Sequence, residues 1–406
     1  MATASGFRRI AAALTYRDFR VIWAGACVSS IGTWMQKLAQ SWLVWTITGS
    51  PFYLGLDAFM GELPILLFTL VGGVVADRHS RRTILLISQC VQLSTAFALA
   101  ALVHWQVVHV WHIVALSFVT GTAQAFGGPA YQSLLPSLVK KDDVPNAIAL
   151  NSTQFNIARL CGPPLAALVM KVWGAAACFS LNGVSFLVVI ASLLALRHVQ
   201  ELPAHTRTIR AEMRTGLAYV RASDLMRTLV FLGLCTTMLA SPVLTLLPVM
   251  AQKVFGMDAG GLASLMSVSA AGAIVGGLGV AWLGKFRRMG STVLGVQIAL
   301  GLVLAAFAAS TILPLSYALL FVGSIGLMMS FSLLMSLVQL AAPDELRGRV
   351  VSVYMMAFRG GMPVGSLVTG WAASVTSAPA TLVAAGFLLT IVASVFMMRG
   401  KTVREF

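Results

Sequence analysis

Long apolar stretches alternate with short polar breaks along most of the chain. A helix needs about 20 residues to cross the hydrocarbon core of a bilayer, and twelve of the stretches are long enough. The connections are short except for one polar segment at 198–226. The pattern predicts an all-α membrane protein with twelve transmembrane helices, at about 19–48, 52–76, 83–104, 108–136, 144–172, 175–196, 228–254, 260–283, 291–311, 314–340, 348–374 and 378–399.

The polar segment divides the chain into two halves that look internally repeated. Arg159-Leu160-Cys161-Gly162-Pro163 in the first half parallels Arg359-Gly360-Gly361-Met362-Pro363 in the second. Within the segment, Ile209–Val220 mixes apolar and basic positions, as expected of a helix lying on the inner membrane surface. The sequence therefore predicts two pseudo-symmetric six-helix bundles joined by a linker: 1–197 as the N-terminal bundle, 198–226 as a cytoplasmic linker with an amphipathic helix, and 227–406 as the C-terminal bundle.

Composition and charge agree with a membrane protein. The chain is 58% hydrophobic and 10% charged, with a mean hydropathy of +0.88. Its formal net charge of +15 raises the question of nucleic-acid binding. All but five of the 28 Lys and Arg residues lie on alternate loops or at the ends of the chain. The excess of positive charge is therefore explained by the topology of the chain in the membrane. It predicts that both termini are cytoplasmic, and it gives no support to nucleic-acid binding.

The break after the second stretch carries a specific motif, Gly73-Val74-Val75-Ala76-Asp77-Arg78-His79-Ser80-Arg81-Arg82. The general enrichment of Lys and Arg in cytoplasmic loops would explain the arginines but not Asp77. The motif resembles the loop 2–3 signature of the major facilitator superfamily, although that family usually has Gly where this chain has Ser80. Gly73 is expected to allow close approach of a neighbouring helix, and Asp77 to accept hydrogen bonds. The resemblance implies a cytoplasmic conformational latch made of Gly73, Asp77, Arg78, Arg81 and Arg82.

Three further stretches narrow the resemblance. Ala147–Arg159 followed by Gly162-Pro163-Pro164-Leu165, together with Gly32–Gln36 and Pro343–Arg349, is similar to the bacterial transmembrane secretion effector branch. That branch includes exporters of enterobactin and some macrolide efflux proteins. The resemblance implies a multi-pass protein of the bacterial cytoplasmic (inner) membrane that exports a small organic molecule.

Gly162 and Pro163 also resemble the helix 5 motif of exporting antiporters, although this chain has Ala166 and Ala167 where glycines often follow. Proline removes one helical hydrogen bond and permits a kink, while small residues permit close packing. An ordinary membrane-helix proline is the alternative interpretation.

Five charged residues lie deep inside predicted spans: the cations Lys37, Arg159 and Arg359, and the acids Asp57 and Glu62. A charge at the centre of a bilayer costs at least about 2.5–3.5 kcal/mol, so these groups should face one another or a wet cavity. Lys37 and Glu62 are at similar estimated depths, and their pairing could simply join two helices. If protons drive transport, Glu62 is the first candidate carrier and Asp57 the second.

Polar and methionine side chains share helix faces with these cations. They suggest an aqueous cavity bordered by Arg159, Arg359 and Glu62, suited to a bulky, anionic or polyphenolic ligand. Bridging between helices and ordinary packing are the alternatives. The candidate substrate-binding residues are Gln36, Lys37, Gln40, Asn151, Asn156, Arg159, Met355, Arg359 and Met362.

Other chemistries lack support. His104, His109 and His112 match no strong metal-ligand spacing and are better explained as interfacial side chains. The odd number of cysteines, in apolar stretches, predicts no disulfide framework. There is no phosphate loop or nucleophile elbow, so we expect no enzyme, no cofactor and no bound metal.

The sequence therefore predicts a monomeric secondary active exporter that exchanges a small-molecule substrate for protons across the lipid bilayer by a rocker-switch movement. An importer or a lysolipid transporter on the same fold is one alternative. A membrane sensor or assembly factor that binds ligand without moving it is the other.

Overall fold

The computed structural model describes residues 12–197, 209–284, 286–399 and 401–404. These residues form helices and connecting turns, without a β-strand. The predicted fold class is confirmed, with all twelve long helices present. By length and composition alone, eight of them qualify as membrane spans. The helices are α1 Arg17–Thr48, α2 Pro51–Arg78, α3 Arg81–His104, α4 Val110–Ser137, α5 Val144–Trp173, α6 Ala175–Leu194, α7 Asp224–Val254, α8 Ala259–Leu283, α9 Met289–Ala309, α10 Leu313–Ala341, α11 Arg347–Val375 and α12 Ala378–Arg399.

One of these helices, α7, consists of successive pieces. An α-helical segment, Asp224–Leu239, is followed by Val243–Val249 and then by a π-helical turn, Met250–Val254. Pro242 and Pro248 lie in the second part of this helix, and each lacks the backbone N–H that would continue the regular pattern. The irregular part of α7 is therefore encoded locally.

The linker contains a helix at Ile209–Ala222. Its Gly216 contacts α11 so closely that a β-carbon there would lie 2.8 Å from the carbonyl oxygen of Arg349. Val220 on the same helix is buried in the hydrophobic cluster around Tyr354. This linker helix thus packs against protein, in addition to any contact that it makes with the membrane surface.

The chain forms two compact units. The described residues of 12–47 and 60–197 belong to the first, and 48–59 with the described residues from 209 onward belong to the second. Helix α2 therefore contributes its first turns to one unit and its remainder to the other. Pro64 lacks the N–H that would bond the carbonyl of Met60. The helix is therefore missing a hydrogen bond next to the boundary between the two units.

Polar contacts fix α1 beside α5 at one end of the first unit. The hydroxyl of Tyr16 donates to Asp143 at 2.7 Å, and the indole N–H of Trp23 donates to the carbonyl of Leu150 at 3.1 Å. The hydrogen bond to Asp143 raises the pKa of Tyr16 above its usual range. These contacts set the register in which the middle parts of α1 and α5 meet.

The second unit repeats that helix pairing with α7 and α11. Gly361 of α11 lies against Leu234 and Thr237 of α7, and a β-carbon on it would be 2.9 Å from the carbonyl oxygen of Leu234. In the same way, Gly162 of α5 lies against Ile31 and Trp34 of α1. The helix pairing is therefore repeated, although the contacting glycines differ by one position: Gly162 directly precedes Pro163, whereas Gly361 lies two residues before Pro363.

Candidate functional site

An aromatic ring with two cations lies at the α1–α5 contact. The Lys37 ammonium is 4.8 Å from the centroid of the Trp34 ring, and the Arg159 guanidinium carbon is 5.6 Å from it. Phe155 meets the same indole edge to face, with ring centroids 5.9 Å apart. Both cations are within the ~6 Å at which an aromatic face attracts a positive charge. We call Trp34, Lys37, Phe155 and Arg159 the Trp34 cluster.

Two contacts bring these side chains together. Gly162 leaves room for Trp34, because a β-carbon on Gly162 would be 2.5 Å from Cβ of the tryptophan. Gln154, which is 4% exposed, donates from Nε2 to the carbonyl of Ala26 at 2.9 Å and also to the hydroxyl of Ser30. A buried amide that is hydrogen-bonded on a neighbouring helix fixes the separation and rotation of the pair.

Each intramembrane arginine is followed by a proline four residues later. Pro163 and Pro363 have no N–H to offer to the carbonyls of Arg159 and Arg359. Helix α5 nevertheless continues without interruption from Val144 to Trp173. The repeated Arg–Pro spacing thus gives each half an arginine whose own carbonyl lacks its regular helical partner.

The N-terminal halves of α5 and α11 each have an exposed polar face. On α11, Ser352 and Arg359 are exposed, whereas Pro363, Ser366 and Gly370, farther along the same face, are buried. On α5, Ser152 is exposed and Arg159 is partly exposed, whereas Pro163 and Ala166 beyond them are buried. In both helices the exposed face ends near the arginine. Met355 and Met362 are partly exposed beside Arg359.

The C-terminal half of α11 is covered by the first turns of α2. A β-carbon on Gly55 would contact the carbonyl oxygen of Ser366 and lie 3.1 Å from Cα of Gly370. A β-carbon on Gly370 would in turn be 2.8 Å from the carbonyl oxygen of Pro51. The two helices therefore cross through a pair of glycines, and any larger residue would push them apart.

Four of the predicted substrate-binding residues are engaged in hydrogen bonds. Gln36 accepts from Asn182 at 2.6 Å, and Gln40 donates to Ser117 at 2.9 Å. Asn151 accepts from the hydroxyl of Tyr131 at 2.9 Å, while Asn156 donates to the carbonyl of Ser152 in its own helix at 2.9 Å. The first three bridge helices, as the packing alternative proposed.

The two membrane acids, Asp57 and Glu62, lie on either side of the point where α2 passes from one unit to the other. Glu62 and Asp57 are both partly exposed. Among the ion pairs of the described residues, none joins Glu62 to Lys37. The ammonium of Lys37 lies over Trp34 instead, so the proposed Lys37–Glu62 pair is not formed.

The expected packing role of Gly73 is wrong. A β-carbon on Gly73 would have no atom within 4 Å, whereas one on the neighbouring Gly72 would contact the carbonyl oxygen of Ala125 and lie 3.1 Å from Cα of Phe126. Gly72 is the residue that lets α2 approach α4. The difference is one position along a helix, or about 100°, which turns a residue away from its neighbour.

The arginines of the same motif bond to the carboxyl ends of other helices. Arg81 donates to the carbonyl of Ser133 at 2.9 Å, and Arg82 donates to the carbonyl of Leu194 at 2.9 Å. Cations at these positions complement the partial negative charge of a helix end. Arg78 is exposed, and the side chain of Asp77 lies outside the described part of the chain.

The histidines close to the start of α4 form a local cap. The backbone N–H of His109 donates to Nδ1 of His112 at 3.1 Å. Within the described residues, no group of three His, Cys, Asp or Glu side chains could hold a metal ion, and the five cysteines are free thiols.

The sequence interpretation missed the residues that organise the site: Trp34, Phe155, Gly55, Gly72 and Gly370. Trp34 precedes Lys37 by three residues, and Phe155 precedes Arg159 by four. Such spacings put an aromatic ring beside a cation on one helix face, which was a usable signal. No comparable local signal distinguishes Gly55, Gly72 and Gly370 from the rest of the 36 glycines in the chain.

Comparisons with known proteins agree with this architecture. A family model described as a transmembrane secretion effector matches residues 10–405. Macrolide efflux protein A of Streptococcus pyogenes is 24% identical over 361 residues, which cover 86% of this chain and 88% of the relative. An enterobactin exporter of Escherichia coli is 22% identical over 394 residues, covering 97% and 94%.

A solved structure extends the comparison to the fold. A peptide transporter in complex with alafosfalin superimposes with a TM-score of 0.77 at 12% identity, over 98% of both chains. At that identity the likeness concerns the fold alone. The family match covers nearly the whole chain. The chain belongs to the transmembrane secretion effector family within the major facilitator superfamily, and it is a multi-pass membrane transporter rather than an enzyme.

Proposed function

We propose that this chain is a secondary active exporter of small organic molecules in the bacterial cytoplasmic membrane, with both termini in the cytoplasm. The observation that carries the proposal is the repeated exposed face on the N-terminal halves of α5 and α11. Each face ends close to an arginine, Arg159 or Arg359, and is buried beyond it. Exposed cations at membrane depth are far less costly beside water than beside hydrocarbon, which supports a wet path to each arginine within its own unit.

The direction of transport is proposed from the relatives. Macrolide efflux protein A and the enterobactin exporter are both named for outward movement of a small molecule. Substrates of those two kinds differ, so the names support export more strongly than they support any one ligand.

Protons are the proposed driving ions, and Glu62 is the proposed carrier, with Asp57 as the second candidate. Glu62 is a partly exposed carboxyl group in a membrane-spanning helix. It lies between Met60, where α2 changes unit, and Pro64, which weakens the helix there. A carboxyl group at such a point can link its protonation to a bend in the helix, and this supports coupling.

The proposed movement is a rocker switch in which the crossing of α2 and α11 is made and broken. The crossing at Gly55 and Gly370 has no side chain to separate, so it can be made and broken with little rearrangement of packing. The proposed cytoplasmic latch, Gly73, Asp77, Arg78, Arg81 and Arg82, would hold the opposite end. Arg81 and Arg82 support it through their bonds to the ends of α4 and α6.

Everted membrane vesicles test this function. We expect vesicles with the wild-type chain to accumulate a radiolabelled compound to which the chain confers tolerance when their interior is made acidic. Glu62→Gln should abolish the accumulation that depends on the pH gradient. Glu345→Gln, which removes an exposed acid outside the membrane helices, is the matched control and should transport normally. Binding of such a compound without accumulation in any gradient would instead identify a sensor.

A further inference from the structure

We propose that the Trp34 cluster binds the anionic group of an aromatic organic acid, and that the molecule exported by this chain is carried as an anion. The inference rests on the proposed export function and adds the chemical class of the substrate. It concerns the first unit only, in which all four residues of the cluster lie.

The positive charges of the cluster are not neutralised by acids. The ion pairs formed among the described residues do not include Lys37 or Arg159. The Trp34 ring attracts both cations, but a neutral ring does not cancel their charge. Lys37 is exposed and Arg159 is partly exposed, so an incoming group can reach them.

A purely structural role for these cations is a weaker explanation. Gly162 and Gln154 already bring α1 and α5 together, through close backbone approach and buried hydrogen bonds. Two positive charges beside a single ring also repel each other, which disfavours an arrangement that serves helix packing alone. An anion near both cations removes that repulsion and gains an attraction to each.

The geometry selects the type of anion. The planar guanidinium of Arg159 can donate two parallel hydrogen bonds to a carboxylate, while the ammonium of Lys37 acts as a point charge. Phe155, with 49% of its surface exposed, stands beside the indole and offers an apolar surface to the body of the ligand. Aromatic rings prefer such edge or offset contacts with another ring. An aromatic carboxylate or phenolate satisfies both features.

The test compares two probes of nearly equal shape by titration calorimetry on the purified full-length chain in detergent. One is 2-naphthoate, which is an anion at neutral pH, and the other is 2-naphthamide, which is neutral. We expect naphthoate to bind at least tenfold more tightly than naphthamide. Lys37→Gln and Arg159→Gln should each weaken naphthoate binding about tenfold and leave naphthamide binding within twofold.

Matched variants distinguish the effect of losing a positive charge at the site from a general effect on folding. Lys171→Gln removes an exposed cation farther along α5 and should leave both affinities unchanged. Arg159→Lys keeps the charge but loses the planar fork, and it should weaken naphthoate binding less than Arg159→Gln does. Each variant is included only at wild-type abundance and with a wild-type elution profile in size-exclusion chromatography.

Equal affinity for the two probes, or naphthoate binding that survives loss of both cations, would overturn the anion site. Transport of a neutral compound with no naphthoate binding would leave the export function standing and reject only the substrate class. Naphthoate binding that requires Lys37 and Arg159, without flux in vesicles, would support this inference and reject the exporter.

Discussion

Gly162 packs directly against Trp34, since a β-carbon on the glycine would lie 2.5 Å from Cβ of the tryptophan. That contact brings the α1 and α5 sides of the Trp34 cluster together. Pro163, the neighbouring residue in the same motif, removes a helical hydrogen bond, but α5 continues through it. The structure thus gives this motif a role in close packing, and a kink at Gly162 and Pro163 stays a prediction.

Gly162→Ala should destabilise the chain, because the added methyl group overlaps Trp34 and a neighbouring backbone. Overpacking of this kind costs about 1–3 kcal/mol. We expect a clear fall in the melting temperature, which is measured by size-exclusion chromatography with fluorescence detection after heating. The matched control is Gly128→Ala in α4, where an added β-carbon would meet nothing within 4 Å. A Gly162→Ala chain as stable as the control would mean that α1 and α5 separate easily there.

The adjacent glycines 72 and 73 should respond oppositely to the same change. Gly72→Ala inserts a methyl group between α2 and the backbone of α4, and it should lower the melting temperature. Gly73→Ala adds a methyl group in open space and replaces Gly with a better helix former, a gain of up to about 1 kcal/mol. Thermal unfolding of the two variants in one detergent is the measurement. The reverse order would show that Gly73 faces α4.

The crossing of α2 and α11 predicts a variant that binds but does not transport. Gly370→Leu places a branched side chain against the backbone of Pro51 and Gly55, so the crossing cannot close. We expect export to fall at least tenfold in everted vesicles, with ligand binding retained. Gly279→Leu in α8 is the control, since an added β-carbon there has no atom within 4 Å. Normal export by Gly370→Leu would exclude this crossing from the transport cycle.

The contact between Tyr16 and Asp143 predicts a pH-dependent contribution to stability. The hydrogen bond raises the pKa of Tyr16, so the folded chain favours the protonated phenol. Its contribution is present below the usual tyrosine pKa of 10.0 and is lost as the pH rises through the higher value of the folded chain. Tyr16→Phe should melt earlier than wild type at pH 8, and the difference should shrink in strongly alkaline buffer. A constant difference across that range would contradict the assignment.

The hydrophobic periodicity and the charge pattern predicted the twelve helices, because the length of each apolar stretch and the charge of each loop can be counted in the sequence. The repeat of Arg159 and Arg359 was also visible there. The rotation of each helix about its own axis could not be predicted from the sequence. That rotation decides whether Gly72 or Gly73 contacts the neighbouring helix. Contacts between distant segments, such as Gln36 with Asn182, or Gly55 with Gly370, depend on tertiary packing that no local pattern specifies.

The most direct test of the central claim is whether water reaches the exposed polar faces on the N-terminal halves of α5 and α11. In a chain without its five cysteines, Ser152→Cys and Ser352→Cys are exposed to a membrane-impermeant maleimide in everted vesicles. We predict that both react, and that Leu168→Cys and Val368→Cys, exposed on other faces of the same helices, do not. Failure of both Ser152→Cys and Ser352→Cys to react, while an Asp344→Cys loop control is labelled, would contradict the account.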